Sequence, residues 1–305
     1  MNQEKFFRNA KWVGAVERTP KTFSVLRGHF FVKDVNKATV NVLGLGFFKC
    51  YINGHCINSD TFLPLSSEYE AGCDPKDEVI SDHRIYVPQF DITEFIKEGD
   101  NVIAIHYGGG WYTFENRTFG LPKAIYCIEL DDGANIQYFV SDEHCRISES
   151  FVEDYCFVTK ECHDYNGWDN CLEYDFDDSR LPFAAVVESL DTEYCTTNCP
   201  CDALIEELPL NKTFENNGRT VYDCGQNTTG YPVLKINAPI GEKVSVYFYE
   251  KLLDDGAADR SHGHGQTFTV VSDGKERLVQ PEFTWYGFRA VEVEGNATPL
   301  CVKVV

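Results

Sequence analysis

Short apolar runs of the length and composition that form β-strands dominate the chain of 305 residues. They are rich in β-branched and aromatic residues and end at glycine or asparagine, which is typical of strands joined by tight turns. The pattern predicts an all-β protein. In chain order the runs occupy residues 30–32, 38–43, 47–52, 84–87, 101–107 and 124–130, and later 233–236, 243–249, 268–271 and 288–293.

The clearest turn signal is the dipeptide Asn53-Gly54, which separates the run at 47–52 from residues 55–57. Asn-Gly accepts the positive φ angles that a type I′ turn needs at both central positions. This dipeptide therefore predicts a β-hairpin.

Helix is predicted at one place, residues 91–99. Asp91 can cap a first turn, Glu94 can complete a capping box, and Gly99 can end the helix. The segment is too short for more than a brief helical turn.

The length allows two domains of ordinary size, each with its own core. Residues 190–203 are rich in Thr, Cys, Asn and Pro and show little periodicity, which favours a boundary there. We predict a first domain with an N-terminal extension at residues 1–198 and a second domain at residues 199–305.

The charge balance limits the partners. A formal net charge of -21 repels phosphate, which argues against nucleic acid and anionic membranes as partners. Residues 1–20 lack the apolar core of a signal peptide, and no later run is long enough to span a membrane. We therefore expect a cytoplasmic protein whose thirteen cysteines are reduced.

Two clusters have the residue types of metal ligands. The spacing of Cys195, Cys199 and Cys201 differs from that of common zinc motifs. The acidic residues at 164–178 do not follow the twelve-residue calcium loop. We predict neither a metal nor a cofactor.

Several phrases carry a family resemblance. They are VYDCGQNTTGY at 221–231, FTWYGFRAVEVEG at 283–295, LGLGFFKCYING at 43–54, FDITEFIKEGDN at 90–101, and GWY at 110–112. In order and spacing they resemble the N-terminal, non-catalytic region of bacterial α-L-rhamnosidases, glycoside hydrolase family 78. The resemblance implies a galactose-binding-like jelly-roll β-sandwich followed by a second, smaller β-sandwich.

The resemblance also implies a function. In that family these domains precede a helical barrel that carries the catalytic carboxylates, and nothing in this chain resembles the barrel. We therefore expect the chain to support a downstream helical catalytic domain that hydrolyses terminal α-L-rhamnosides, and to have no catalytic residues of its own. A patch that faces such a domain could pair two copies into a homodimer.

Two other functions stay open. The chain could be a free-standing carbohydrate-binding module, which would need a groove of its own. It could also be a complete enzyme with carboxylates that the sequence does not single out. In every case the expected ligand is a rhamnose-containing glycoside or another sugar.

Five residues are candidates for sugar binding. Trp111 and Tyr112 follow a glycine run and could present aromatic faces to the C–H face of a sugar, or pack into the protein. Asp223, Gln226 and Asn227 could hold sugar hydroxyls, or satisfy backbone groups at a turn.

Two residues are structural candidates. Arg289 lies among aromatic residues and could grip a carboxylate through a bidentate pair that braces the second domain. The sequence offers Glu250 or Asp223 as its partner.

Overall fold

The computed structural model describes residues 2–17, 23–59, 61–69, 83–114 and 117–305. The chain divides into two compact units, which we call unit 1 (Met1–Ser150 with Asp169–Cys201) and unit 2 (Phe151–Trp168 with Asp202–Val305). This division differs from the predicted domains at residues 199–201, which belong to unit 1, and above all at residues 151–168, which belong to unit 2. The physical reason is strand pairing, because Lys160–Asp164 pairs with Thr267–Val271.

Nearly all regular structure is β. The strands of the first 150 residues are β1 Val13–Gly14, β2 Ser24–Val32, β3 Lys37–Leu45, β4 Phe47–Ile52, β5 His55–Cys56, β6 Thr61–Phe62, β7 Arg84–Tyr86, β8 Gln89–Asp91, β9 Gly99–Gly108, β10 Thr113–Phe114, β11 Arg117–Thr118, β12 Lys123–Asp131, β13 Ile136–Val140 and β14 Arg146–Glu149. The later strands are β15 Val152–Cys156, β16 Lys160–Asp164, β17 Ala185–Val186, β18 Glu193–Cys195, β19 Asp202–Ala203, β20 Glu206–Pro209, β21 Asn211–Asn216, β22 Arg219–Ile236, β23 Lys243–Tyr249, β24 Thr267–Val271, β25 Arg277–Val279, β26 Tyr286–Glu294 and β27 Ala297–Val304.

Helical structure is brief. The helix α1 spans Gln3–Phe7, and 3₁₀ turns occur at Thr93–Phe95, Gly110–Tyr112 and Arg260–His262. Within the described ranges, no helix has the length and apolar character needed to cross a membrane.

Unit 1 is a sandwich of two antiparallel sheets. One sheet has the strand order β17-β1-β12-β3-β8, with β13 added beside β12, and the other has the order β14-β2-β9-β4-β5. The hairpin predicted at Asn53-Gly54 is confirmed: it joins β4 to β5, and the two residues have φ angles of 51° and 84°. These are the angles that a type I′ turn requires.

The central strands β3 and β12 of the six-stranded sheet of unit 1 are buried on both faces. In β3, Val40 and Val42 point into the core shared with the second sheet, whereas Leu43 and Leu45 point into a second apolar cluster. The period of two along a strand separates the two sets. We call the second set, which also contains Phe7, Trp12, Tyr112 and Tyr194, the outer cluster.

The helical signal at residues 91–99 is realised as the single 3₁₀ turn Thr93–Phe95. Oδ1 of Asp91 accepts hydrogen bonds from the backbone N–H of Thr93 at 3.0 Å and from its hydroxyl at 2.6 Å. The turn is short because the chain re-enters the sheet at Gly99, which pairs with the end of β2.

Unit 2 is built on one ten-stranded sheet of order β15-β16-β24-β23-β26-β22-β27-β20, with β21 and β25 also paired to β22. The strand β22 is 18 residues long. Its first half pairs with β21 and β26, and its second half pairs with β25 and β27. A change of partners along one strand lets a sheet fold into two packed layers.

The core of unit 2 is aromatic. The ring of Phe248 stacks on Tyr286 with the ring centroids 4.0 Å apart, and it meets the ring of Phe288 edge-on at 5.0 Å. All three side chains are buried. The fold class predicted from the sequence is confirmed: a jelly-roll β-sandwich is followed by a second β-sandwich.

Candidate functional site

The two aromatic candidates, Trp111 and Tyr112, differ in burial. Tyr112 is 1% exposed, and its ring stacks on Phe119 with a centroid distance of 5.7 Å and meets Tyr69 edge-on at 5.5 Å. A ring enclosed in this way has no face for a sugar, so Tyr112 belongs to the core. Trp111 is partly exposed and packs against the same outer cluster.

The glycine run before Trp111 is tightly packed. Gly110 is buried with a φ of 64°, and a Cβ there would lie 2.7 Å from the backbone nitrogen of Phe47. A Cβ at Gly46 would lie 1.4 Å from the carbonyl oxygen of Gly109. Glycine is therefore required because two backbone segments approach each other closely.

Arg289 and Asp223 form a bidentate pair. Nε of Arg289 donates to Oδ1 of Asp223 and Nη2 donates to Oδ2, both at 3.0 Å. The hydrogen bond from Arg289 lowers the pKa of Asp223, and the backbone N–H of Gly225 donates to the same carboxylate at 2.8 Å. Asp223 thus braces β22 against β26 through Arg289.

Glu250 is not the partner of Arg289. Its Oε1 lies 3.3 Å from Nε2 of His264 in an exposed contact. Between the two partners that the sequence offered, the structure chooses Asp223 because it lies on the neighbouring strand, where it pairs with Ala290.

Gln226 and Asn227 lie in an irregular stretch of β22, where the register to β26 shifts between Asp223 and Thr228. Both side chains are exposed. A bulge turns side chains away from the regular ladder, so the two amides point outward from an otherwise packed strand.

Unit 2 also contains a cavity of about 700 Å³, which we call the arginine cavity; its walls combine polar and apolar side chains. One wall is the hairpin between β21 and β22. Its loop residues Asn217 and Gly218 have φ angles of 51° and 78°, as in a type I′ turn. The hairpin places Asn216, Asn217 and Arg219 along the cavity.

Glu292 on β26 anchors both arginines of the cavity. Its carboxylate is 7% exposed and accepts from Nη2 of Arg260 at 2.9 and 3.1 Å and from Nη1 of Arg219 at 3.3 Å. The hydroxyl of Tyr249 donates to the same carboxylate at 3.3 Å. Burial and the charge of Glu292 raise the pKa of Tyr249, which keeps this hydroxyl protonated.

Arg219 is held on several sides. Its Nη2 lies 2.7 Å from Oε2 of Glu294, and its guanidinium lies over the ring of Tyr247, 4.9 Å from the centroid. Arg260 is more exposed: 62% of its side chain is accessible. One arginine is therefore part of the wall, and the other projects from it.

The second wall is the segment that leads into the turn Arg260–His262. Asp259 caps this turn: its Oδ1 accepts from the backbone N–H of Ser261 at 3.1 Å and from its hydroxyl at 2.6 Å. The hydroxyl of Ser261 lowers the pKa of Asp259, so the carboxylate is ionised at neutral pH.

In the part of the chain that the structure describes, thiols and metal-ligand residue types form no further site. The twelve cysteines in the described ranges are all free. In the same ranges, His, Cys, Asp and Glu form no group of three or more that could hold a metal ion.

Two family models match this chain. One, described as the alpha-L-rhamnosidase N-terminal domain, matches residues 33–203, and the other, a bacterial alpha-L-rhamnosidase concanavalin-like domain, matches residues 214–304. The first alone spans more than half of the chain.

The chain belongs to the α-L-rhamnosidase family.

The family resemblance inferred from the sequence is thereby confirmed. An α-L-rhamnosidase of Alteromonas sp. is 27% identical over 314 residues, covering 94% of this chain and 32% of that protein. One from Formosa agariphila is 24% identical over 293 residues, covering 87% of this chain and 29% of that protein. The chain spans about a third or less of the length of these relatives.

Solved α-L-rhamnosidase structures share the fold. The enzyme from Dictyoglumus thermophilum matches 99% of this chain with a TM-score of 0.84 at 23% identity, and the match covers 36% of that enzyme. The enzyme from Aspergillus terreus matches 100% of this chain with a TM-score of 0.82 at 19% identity, covering 37% of that enzyme. At these identities the likeness establishes the fold.

Sequence reasoning missed the arginine cavity of this rhamnosidase chain. Arg219, Arg260 and Glu292 are far apart in sequence; strand pairing brings Arg219 near Glu292, and the turn Arg260–His262 brings Arg260 to the same carboxylate. Two local signals could have marked its walls: the Asn217-Gly218 dipeptide is a hairpin signal, and Asp259 two residues before Ser261 is a capping signal.

Proposed function

We propose that this chain is the non-catalytic N-terminal part of an α-L-rhamnosidase, and that it supports a downstream helical catalytic domain that hydrolyses terminal α-L-rhamnosides. The observation that carries the proposal is coverage. Curated α-L-rhamnosidases align with 86–94% of this chain, but the chain spans only 26–32% of each of them.

The chemistry of the carboxylates supports the proposal. Glycosidases place two carboxyl groups on either side of the scissile bond, one to give a proton and one to activate water or attack. In the described ranges only Glu161 and Glu292 are buried carboxylates. Glu292 is occupied by two arginines and a tyrosine, as described above.

Glu161 is occupied in a different way. Its Oε1 lies 2.6 Å from Nε2 of His163 and accepts from the backbone N–H of Glu282 at 2.7 Å. Its Oε2 accepts from the backbone N–H of Phe283 at 3.1 Å. A carboxylate with its oxygens engaged inside a core supports folding and has no route to a glycosidic oxygen.

The carbohydrate-associated part of the proposal is supported by exposure. Trp111, Gln226 and Asn227 keep surface at the solvent, whereas Tyr112 and Asp223 are committed to packing and pairing. We propose Trp111 in unit 1 and, separately, Gln226 and Asn227 in unit 2 as contacts to rhamnose-containing glycosides. Replacing Trp111 with alanine and comparing sugar titrations tests the aromatic member.

Hydrolysis tests the main proposal. We expect residues 1–305 alone to release no aryl group from an aryl α-L-rhamnoside between about pH 4 and pH 8, the range in which carboxyl acid–base pairs operate. Turnover that survives repurification and disappears when one acidic residue is replaced would contradict the proposal.

A second test is the coding sequence. We expect the DNA beyond codon 305 to continue in an open frame that encodes helical sequence rich in Asp, Glu and Trp. A protein that ends at that codon would refute the role as support for a downstream domain.

A further inference from the structure

The arginine cavity of unit 2 has the size and wall composition of a ligand site. Its volume of about 700 Å³ lies within the range of roughly 300–1,000 Å³ common for small-molecule pockets. Its walls are the hairpin at Asn217-Gly218 and the turn Arg260–His262, both set by local hydrogen bonding and turn geometry. Such walls are in place before a ligand binds, which lowers the cost of binding.

The charges of the cavity balance. Its lining contains the guanidinium groups of Arg219 and Arg260 and the carboxylates of Asp259 and Glu292. Two positive and two negative groups leave no excess charge, and the chain as a whole carries -21. An anionic ligand would therefore meet repulsion that a neutral ligand avoids.

Arg260 has donors to offer. Its hydrogen bonds within the described part of the chain run from Nη2 to Glu292, so Nε and Nη1 can donate to a ligand. Because Glu292 fixes the guanidinium, the remaining N–H groups point in set directions. The amides of Asn216 and Asn217 line the same cavity and can both donate and accept.

An apolar strip completes the lining. Phe214 is partly buried, Leu253 is exposed, and both line the cavity together with Ala257. A sugar presents a C–H face of low polarity and a rim of hydroxyls, so it can contact such a strip while its hydroxyls bind arginine and amide groups.

We propose that the arginine cavity is a binding site for a neutral sugar, with Arg260 and Asn217 as its hydroxyl-binding residues. The proposal rests on the carbohydrate-associated role proposed above, but it places binding in the arginine cavity, at residues other than Trp111 in unit 1 and Gln226 and Asn227 elsewhere in unit 2.

Calorimetric titration of the full chain of residues 1–305 tests the site, with L-rhamnose, D-glucose and the anionic sugar D-glucuronate as probes. We expect saturable binding of a neutral sugar with a Kd of roughly 1 mM, because few hydrogen bonds hold the ligand. Glucuronate should bind more weakly.

Two variants locate the site. Arg260→Ala removes the exposed donor and should weaken binding about tenfold, the equivalent of one charged hydrogen bond. Asn217→Gly keeps the positive φ of the hairpin, so it preserves the fold, and it should weaken binding several-fold. The matched control is Lys235→Ala, which breaks an exposed ion pair with Glu276 in the same unit away from the cavity residues and should leave binding unchanged.

The outcomes are decisive in both directions. The site is supported if the chain binds a neutral sugar and both cavity variants weaken that binding. If Arg260→Ala does not fold, the effect of Asn217→Gly on binding is sufficient to test the site. The proposal is overturned by an absence of saturable binding, by binding that neither variant changes, or by a preference for glucuronate. Each of these results leaves the hydrolysis and coding-sequence tests untouched, so the site can fail while the role as a rhamnosidase N-terminal part stands.

Discussion

Replacing Glu161 with alanine should destabilise unit 2 more than any surface change. The carboxylate is fully buried and bonds three groups: the ring of His163 at 2.6 Å and two backbone N–H groups at 2.7 and 3.1 Å. Alanine leaves all three without an acceptor, and each buried unpaired group costs about 1–3 kcal/mol. Partial collapse and water entry recover part of this, so we expect a loss of about 3–5 kcal/mol in the free energy of unfolding, as for other broken buried pairs.

The surroundings of His163 leave little room for relief. Its ring meets Phe151 at 4.8 Å and Phe268 at 4.9 Å, both edge-on. The rings of Phe151 and Phe268 offer no acceptor, and the hydroxyl of Tyr165 lies 3.3 Å from Nδ1 of His163 rather than beside Nε2, the atom that faces Glu161. Glu161→Gln, which keeps the shape and one carbonyl acceptor, should cost less than Glu161→Ala.

Urea denaturation of residues 1–305, followed by tryptophan fluorescence and by far-UV circular dichroism, measures the loss. Trp168 and Trp285 lie in unit 2 and report on its transition. The matched control is Glu215→Ala, which breaks an exposed ion pair with Lys212 and should change the free energy of unfolding by less than about 0.5 kcal/mol. A loss below about 1 kcal/mol for Glu161→Ala would refute the argument that its three bonds support the core.

Three further outcomes are expected. A bidentate hydrogen bond from Arg277 lowers the pKa of Asp273 from 3.8 to about 2. The stability that this pair contributes is therefore fully present above the pKa of Asp273 in the unfolded chain, and it is lost as the pH falls from about 4 to about 2. Asp273→Asn should thus be less stable than the parent by about 2 kcal/mol at pH 7, and the two should converge near pH 2 in urea denaturation at each pH. Tyr112→Ala should lower the free energy of unfolding by about 3–5 kcal/mol because it leaves a cavity in the outer cluster; a thermal midpoint equal to that of the parent would place the ring at the surface instead. Gly54→Ala should cost about 1 kcal/mol or more, since its φ is 84° and a Cβ would lie 2.9 Å from Oε2 of Glu173; unchanged denaturation would argue against the type I′ hairpin.

Local patterns predicted much of the fold. Residues 38–43 and 124–130 are short apolar runs in the sequence, and they form the central strands β3 and β12 of unit 1. Such runs suffice because a strand buried on both faces is mostly apolar along its length. The extent of the helical turn at 93–95 was less predictable, because the sheet that follows decides where it ends.

The candidate site was less accessible from sequence. A tryptophan and a tyrosine side by side look equivalent in the chain, yet Tyr112 is buried and Trp111 is partly exposed. Successive residues point in different directions, and which direction is inward depends on the outer cluster that packs there. The partner of Arg289 could be narrowed to two acidic residues but not to one, because only strand register places Asp223 beside it.

The sequence by itself determined the β class, the Asn53-Gly54 hairpin and the family, because each depends on residues that are neighbours along the chain. Tertiary structure alone decided that residues 151–168 join unit 2, and that Glu292 gathers Arg219 and Arg260 into one cavity. The physical reason is sequence separation. Contacts between distant strands depend on register and sheet order, which no local pattern encodes.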